Sequence, residues 1–197
     1  MLFRSRLDVP AGDLLLHAGD FSMAGRPDEI RRFDRWLGTL PHAHKVVIAG
    51  NHDFLFEQDP AQARALITNA LYLEDSEARI EGLRVWGSPW QPWFLDWAFN
   101  LVRGPDLAAK WALIPDGTDV LVTHGPPAGI LDRTVAGEDV GCEDLAQALQ
   151  RVRPRLHLFG HIHESYGRLE RAGTLHVNAS NCDVHYHAVQ PPIVVEL

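Results

Sequence analysis

Short apolar runs recur along the chain and alternate with segments of helical spacing. Runs at 13–17, 45–49, 79–86, 119–123, 156–160, 173–178 and 192–196 are the strand candidates; Leu14-Leu15-Leu16, Val46-Val47-Ile48 and Val120-Leu121-Val122 are uninterrupted. Between the first two, Pro27-Asp28-Glu29 opens a helix with acidic residues in its first turn. Ile30, Phe33, Trp36, Leu37 and Leu40 follow at helical spacing before Pro41 stops it. A second amphipathic helix over 141–151 carries Leu145, Ala148 and Leu149 on one face and ends near Pro154.

This alternation predicts α/β layering. The final third changes to short strands and turns, with Arg171-Ala172-Gly173-Thr174 leading into Leu175-His176-Val177, which predicts hairpins and a second sheet. A two-sheet β-sandwich flanked by helices accommodates both halves, whereas a Rossmann fold needs a Gly-rich phosphate loop that the chain lacks. There is no internal repeat or linker, and 197 residues suit one domain spanning 1–197.

Composition narrows the function classes. With 46% hydrophobic and 22% charged residues the chain reads as globular and excludes disorder. Its net charge of −8 opposes approach to long nucleic acid or to an anionic membrane. The one dense basic cluster, Arg151, Arg153 and Arg155, reads as a solvated helix end before the Pro154 break. No stretch approaches the roughly 18 apolar residues of a membrane span, and Met1-Leu2-Phe3-Arg4-Ser5-Arg6 lacks an apolar leader core. Cys142 and Cys182 stand far apart outside any C-x-x-C pattern, as free thiols would, so a cytoplasmic protein is expected.

Candidate chemistry sits where four of the strands end. Gly19-Asp20, Gly50-Asn51-His52-Asp53, Thr123-His124-Gly125 and Gly160-His161-Ile162-His163 each follow an apolar run, and each has a glycine where the chain turns or a ligand approaches the backbone. Asp and Asn offer hard oxygen and His offers imidazole nitrogen, a mixture that suits Mn, Fe or Zn better than thiolate or all-oxygen sites do. Asp20 is the natural bridge, since a carboxylate can hold two cations about 3.5–4 Å apart, the separation that clamps a phosphoryl group in line. His161 and His163, two apart, face one way if the strand continues and two ways if it turns. A lone His-x-His is weak; the four segments together define a polynuclear metal site.

These residues resemble the calcineurin-like metallophosphoesterase superfamily, whose pattern is D-x-H, G-D, G-N-H-[DE], a [TS]-H-x or G-H segment and G-H-x-H. The resemblance covers nearly the whole chain. Leu14 to Phe21, Trp36 to Asp53, Trp86 to Asn100 and Thr123 to Pro127 look most like the metallophosphoesterase-domain subgroup, which is similar to cyclic-nucleotide phosphodiesterases. The resemblance implies a four-layer sandwich and two divalent ions, with Asp20 bridging, Asn51, His124 and His161 on the second ion and His163 on the first. It further implies His52 as general acid at the leaving-group oxygen, oriented by Asp53; a plain loop hydrogen bond is the competing reading of Asp53. Asn51, His52 and Arg103 are the expected substrate contacts, the Arg103 guanidinium matching phosphate geometry. The implied reaction is hydrolysis of a small phosphodiester, a cyclic nucleotide or similar, by an activated water. The alternative is a catalytically weak nucleotide- or metal-binding protein.

That alternative arises because no D-x-H precedes Gly19-Asp20. Asp8 has no His two residues later, and Asp183-Val184-His185 matches by letters alone. The expectation is that the sequence begins late relative to the family's first strand; the competing reading is true loss, with one ion bound. Either way the first ion retains Asp20 and His163. Trp86, Trp90, Trp93, Trp97, Phe94 and Phe99 crowd one stretch, either as core and lid packing or as a platform for a nucleobase. His17 reads as packed or supporting a ligand, and Glu164 as a ligand-orienting or solvent-facing carboxylate.

Overall fold

A computed structural model describes residues 7–197. Its elements in chain order are β1 (Leu14–His17), α1 (Pro27–Leu37), β2 (His44–Val47), α2 (Leu55–Gln58), α3 (Pro60–Ala65), β3 (Leu71–Tyr72), β4 (Ser76–Ile80) and β5 (Leu83–Ser88). There follow β6 (Gln91–Pro92), β7 (Asn100–Leu101), α4 (Pro105–Ala112), β8 (Val120–Thr123), α5 (Glu143–Val152), β9 (Leu156–Phe159), β10 (Gly167–Arg171) and β11 (Thr174–Asn178). One sheet is the parallel trio β1-β2-β3. The second has the order β10-β11-β9-β8-β5-β4, parallel in its middle and antiparallel at both edges.

Period-two alternation separates the layers. Along β2 and its continuation, Val46 and Ile48 face the second sheet, while Val47 and Ala49 face α1 and α3. Leu14 and Leu16 on β1 likewise join the inter-sheet core, and Leu15 packs on the helix side. Ile30, Phe33 and Leu37 of α1 are buried against the first sheet. On the far side Leu107 and Trp111 of α4 and Leu145 and Val152 of α5 cover Trp86 and Leu121 of the second sheet. The expected α/β sandwich of two sheets between helices is therefore present, with a core on each side of each sheet.

Two local expectations are corrected and one helix is added. The run 79–86 is a hairpin, because Glu81 (φ 48°) and Gly82 (φ 84°) turn left-handed between β4 and β5. The run 192–196 forms no strand among the described residues; Pro191 and Pro192 carry no N–H to donate, and Ile193 and Val195 pack onto the inter-sheet core without pairing. α4 was not anticipated, although Pro105-Asp106 after Gly104 and the i, i+4 pair Leu107 and Trp111 carry its signal.

Cys142 and Cys182 are both buried, and Cys142 Sγ caps α5 by accepting from Leu145 N at 3.4 Å. Among the described residues no helix is long and apolar enough to cross a membrane.

Candidate metal centre

β1, β2, β8 and β9 are continued by the turns that hold Asp20, Asn51, His124 and His161. The first two strands meet through glycines. A Cβ on Gly19 would lie 2.6 Å from the Ala49 carbonyl, and one on Gly50 would lie 2.4 Å from Asp20 Oδ1 and 2.5 Å from His124 Cε1. No side chain fits there. Asp20 (φ 57°) and His161 (φ 67°) adopt left-handed backbone that L-residues rarely take, a strain that here aims both side chains at one point.

Asp20, His124 and His161 bring one ligand atom each within 4.8 Å of one another. Asn51 Oδ1 lies 2.6 Å from His124 Nε2, and Asp20 Oδ2 lies 3.4 Å from the same nitrogen. The other ring nitrogen of His124 is 2.8 Å from the Ala18 carbonyl, which can only accept, so Nδ1 carries a proton. That leaves Nε2 facing two oxygen acceptors in a buried pocket, an arrangement that requires something positive between them. Burial opposes charge on His124, but the Asp20 carboxylate outweighs it and raises the imidazole above its ordinary range. Nε2 thus faces the place a cation would take.

The donor set fits a divalent ion. Asn51 is fully buried, and its Nδ2 has no hydrogen-bond partner among the described residues although its Oδ1 is committed to the centre. Burial raises Asp20, yet His124 and His52 together hold it far below the usual carboxylate range, so it is anionic. Burial and then the neighbouring His124 push His161 down to about 3, which leaves a neutral imidazole with a free lone pair.

His163 stands outside that three-residue cluster. It opens a short 3-10 turn, and its Nδ1–H donates to the Asp183 carbonyl at 2.8 Å, so its Nε2 is the nitrogen open to a ligand. Asp20 and His163 line the same cavity of about 400 Å³ and are the two of the expected first-ion residues that the described chain brings there.

His52 also lines this cavity. Its Nδ1–H donates to Met23 O at 3.1 Å, and Nε2 points to the Tyr186 hydroxyl at 3.4 Å. Trp97 lies against the ring with centroids 4.5 Å apart. Asp53 does not orient it. The Asp53 carboxylate accepts from Asp20 N and Gly50 N at 2.8 Å, Ser22 N at 3.0 Å and Ser22 Oγ at 2.6 Å. It therefore ties the β1 turn to the β2 turn, which corrects the expected His52–Asp53 pairing in favour of the loop hydrogen bond. Burial and the nearby Asp20 charge push Asp53 up to about 7, against the pull of those donors.

Arg103 reaches the cavity wall, but its guanidinium is engaged. It donates to Gly141 O at 2.7 Å, to Val140 O at 2.8 Å and to the Glu143 carboxylate. The fork thus holds the 140–143 loop while Arg103 lines the cavity where a phosphate contact was expected. Glu164 similarly accepts from Val135 N at 2.9 Å. Arg151 contacts Asp116 and donates to the Ile114 carbonyl at 2.9 Å, so it tethers α5 to the end of α4 as well as ending its own helix. His17 packs edge-on against Phe33 with ring centroids 5.0 Å apart.

The aromatic stretch divides in two. Trp86 is buried under α4, and Trp90 packs beneath Lys110, whose Nζ sits 4.2 Å above its ring. Trp93, Phe94 and Trp97 instead line the cavity, Trp93 being 61% exposed. Two supporting residues escaped the sequence reading. Tyr186 has no local motif around it. Asn178, which ends β11, donates through Nδ2 to Ile162 O at 2.8 Å and Leu131 O at 3.2 Å, and so braces the turn carrying His161 and His163.

A layered sandwich with a divalent-ion pocket built on strand-end turns defines a metal-dependent hydrolase class. The family model for calcineurin-like phosphoesterase matches residues 2–165, and the chain belongs to that family of metal-dependent phosphoesterases. It is 47% identical to human metallophosphoesterase domain-containing protein 1 across 97% of this chain and 66% of that protein. A protein of Synechococcus described as a probable cyclic nucleotide phosphodiesterase is 29% identical across 78% of this chain and 59% of its own length. The chain thus spans just under two thirds of the human relative. A solved crystal structure at 20% identity shares the fold with a TM-score of 0.58, covering 78% of this chain and 63% of the other.

Proposed function

We propose that the chain is a phosphodiesterase acting on a small phosphodiester, a cyclic nucleotide or a relative of one. The observation that carries this is the open cavity of about 400 Å³ with Asp20, Asn51 and His161 at one end, His52 on its wall and Trp93, Phe94, Trp97 and Tyr186 around it. A phosphoryl group and one planar leaving group fit such a space, whereas a long nucleic acid meets a chain of net charge −8. The name of the Synechococcus relative points the same way.

Asp20, Asn51, His124 and His161 would hold one divalent ion, and Asp20 with His163 would begin a second; Mn, Fe and Zn all match these donors. Bound there, such ions supply charge stabilisation to a phosphoryl group and acidity to a water. His52 presents Nε2 to the cavity because Met23 O fixes the other ring nitrogen. As an imidazolium it delivers the proton the departing oxygen needs. The aromatic walls exclude water and offer faces to a base or aryl group.

A second reading is favoured by one observation: the tight cluster contains Asp20, His124 and His161 but not His163. A chain holding one ion would bind nucleotides and hydrolyse them weakly. The experiment is Mn²⁺ stoichiometry of the purified chain together with hydrolysis of bis(p-nitrophenyl) phosphate and cyclic AMP. Two ions and turnover of the diesters support the phosphodiesterase; one ion with nucleotide binding but negligible turnover supports the second reading.

A further inference from the structure

The second sheet carries two buried histidines that the metal centre does not use. His157 on β9 and His176 on β11 are register partners, and their Nδ1 atoms lie 3.3 Å apart. His157 Nε2 is 2.9 Å from Thr123 Oγ1, and that hydroxyl is 2.8 Å from the Gly125 carbonyl. Leu121, two residues before Thr123 and paired with His157, belongs to the helix-side core. Thr123 and His157 therefore share the outer face of the sheet, away from the first sheet.

One arrangement of protons satisfies all three contacts. The Gly125 carbonyl can only accept, so the single hydroxyl proton of Thr123 goes to it. Thr123 Oγ1 must then accept from His157 Nε2–H. Burial, reinforced by His176, keeps His157 neutral, so its Nδ1 is a bare lone pair and accepts from His176 Nδ1–H. Burial and then Arg171 lower His176 to about 4, so it too is neutral and has one N–H to give. The chain of donors runs one way, from His176 through His157 and Thr123 to the carbonyl just beyond His124.

We propose that Thr123, His157 and His176 are positioning residues for His124. The hydroxyl bridges the residues on either side of His124 and fixes the turn; the two histidines fix the hydroxyl by leaving it only one acceptor to donate to. With the turn set and Nδ1 held by Ala18 O, the Nε2 atom is aimed at the point between Asn51 and Asp20 rather than sampling other directions. The proposal rests on the reading of His124 as a metal ligand. Removing the partners that orient a ligand typically weakens metal affinity about 10- to 100-fold.

The test is titration of metal-free protein with Mn²⁺, reading free Mn²⁺ by electron paramagnetic resonance, with circular dichroism and Tm recorded on each variant. Thr123→Val, which keeps the shape and loses the hydroxyl, is expected to raise the Kd about 10-fold, the low end of that range. Thr123→Ser, which keeps the hydroxyl, restores affinity to about the wild-type value. A merely structural role would lower Tm in Thr123→Val without moving the Kd of the folded protein, and an unchanged Kd there overturns the proposal. Should that variant not fold, His157→Phe decides by the same measure, with weakened Mn²⁺ binding expected and unchanged binding overturning it. If wild type and Asp20→Ala are equally unable to bind Mn²⁺, the metal reading falls and this inference with it. If wild type binds, Asp20→Ala does not and Thr123→Val matches wild type, only this inference falls.

Discussion

His124 Nε2 and Asn51 Oδ1 lie 2.6 Å apart although 73 residues separate them in the chain. Each side chain is buried, each comes from the end of a different sheet, and Asp20 Oδ2 stands 3.4 Å from the same nitrogen. Acceptors do not gather around a buried point without a positive charge to hold them. The contact is the mark of a candidate cation site.

Asn51→Ala, Asp20→Ala and His161→Ala should each remove metal binding and hydrolysis together. Affinity for Mn²⁺ is expected to fall by more than the about 10- to 100-fold that losing an outer partner costs. Calorimetric titration checks the binding and a chromogenic phosphodiester the turnover; wild-type activity in Asp20→Ala and His161→Ala would remove the basis for the site.

Gly50→Ala should damage the site and the fold at once. The new methyl would sit 2.4 Å from Asp20 Oδ1 with His124 Cε1 behind it, so the β1 and β2 turns must part. Overpacking of this kind costs about 1–3 kcal/mol. Urea denaturation measures that loss, and Mn²⁺ titration shows whether the parted turns still bind.

Asp53 and His52 should separate cleanly despite being adjacent. Asp53→Asn turns an amide toward donors that now find a carboxylate, and losing hydrogen bonds to a buried charged acceptor costs about 1.5–3 kcal/mol each. A large drop in stability is expected, whereas His52→Gln should lower turnover with stability close to wild type. Matching losses of stability in the two variants would mean that His52 is structural.

Acid should weaken the fold through His176. Its folded pKa of about 4 lies below the ordinary histidine value of about 6.5, so between these limits the unfolded chain takes up a proton that the folded chain refuses. Stability therefore rises with pH across that window and is fully present above about 6.5. Urea midpoints at pH 4.5, 5.5 and 7 in the presence of a chelator should show a shallower slope for His176→Gln; an identical slope would mean that His176 is charged in the folded protein.

Trp97→Ala should act on substrate and Trp90→Ala on the fold. Trp97 lies against His52 at the cavity, while Trp90 Nε1 donates to Asp75 at 3.0 Å and its ring lies beneath Lys110. Loss of a stacking face costs about 1–3 kcal/mol in nucleotide binding, seen as a raised KM. If KM for a cyclic nucleotide is unmoved in Trp97→Ala, the aromatic wall is not a base platform.

The strand cores and the four ligand turns were legible in the sequence because they depend on local patterns: runs of Val, Leu and Ile, then a glycine, then Asp, Asn or His. Asp20, Asn51, His124 and His161 could be named from those letters alone. The hairpin at Glu81-Gly82 and the unpaired end after Pro191-Pro192 were misread because apolar content outweighed turn chemistry. The bonds that Arg103 and Asp53 make were not legible for another reason. Whether a guanidinium is free or a carboxylate reaches the neighbouring ring depends on residues tens of positions away, such as Gly141 and Ser22.

The sequence by itself therefore determined the layered fold, the family and the ion-binding residue types, since alternation, turn glycines and ligand chemistry are written in short stretches. Only the tertiary structure decided which atoms converge. It turned His124 Nε2 toward Asn51, left His163 outside the cluster of Asp20, His124 and His161, engaged Arg103 with a loop and ran a line of hydrogen bonds from His176 to Gly125. These are outcomes of packing strands from distant parts of the chain, and no local pattern encodes the direction in which a ring or a hydroxyl will point.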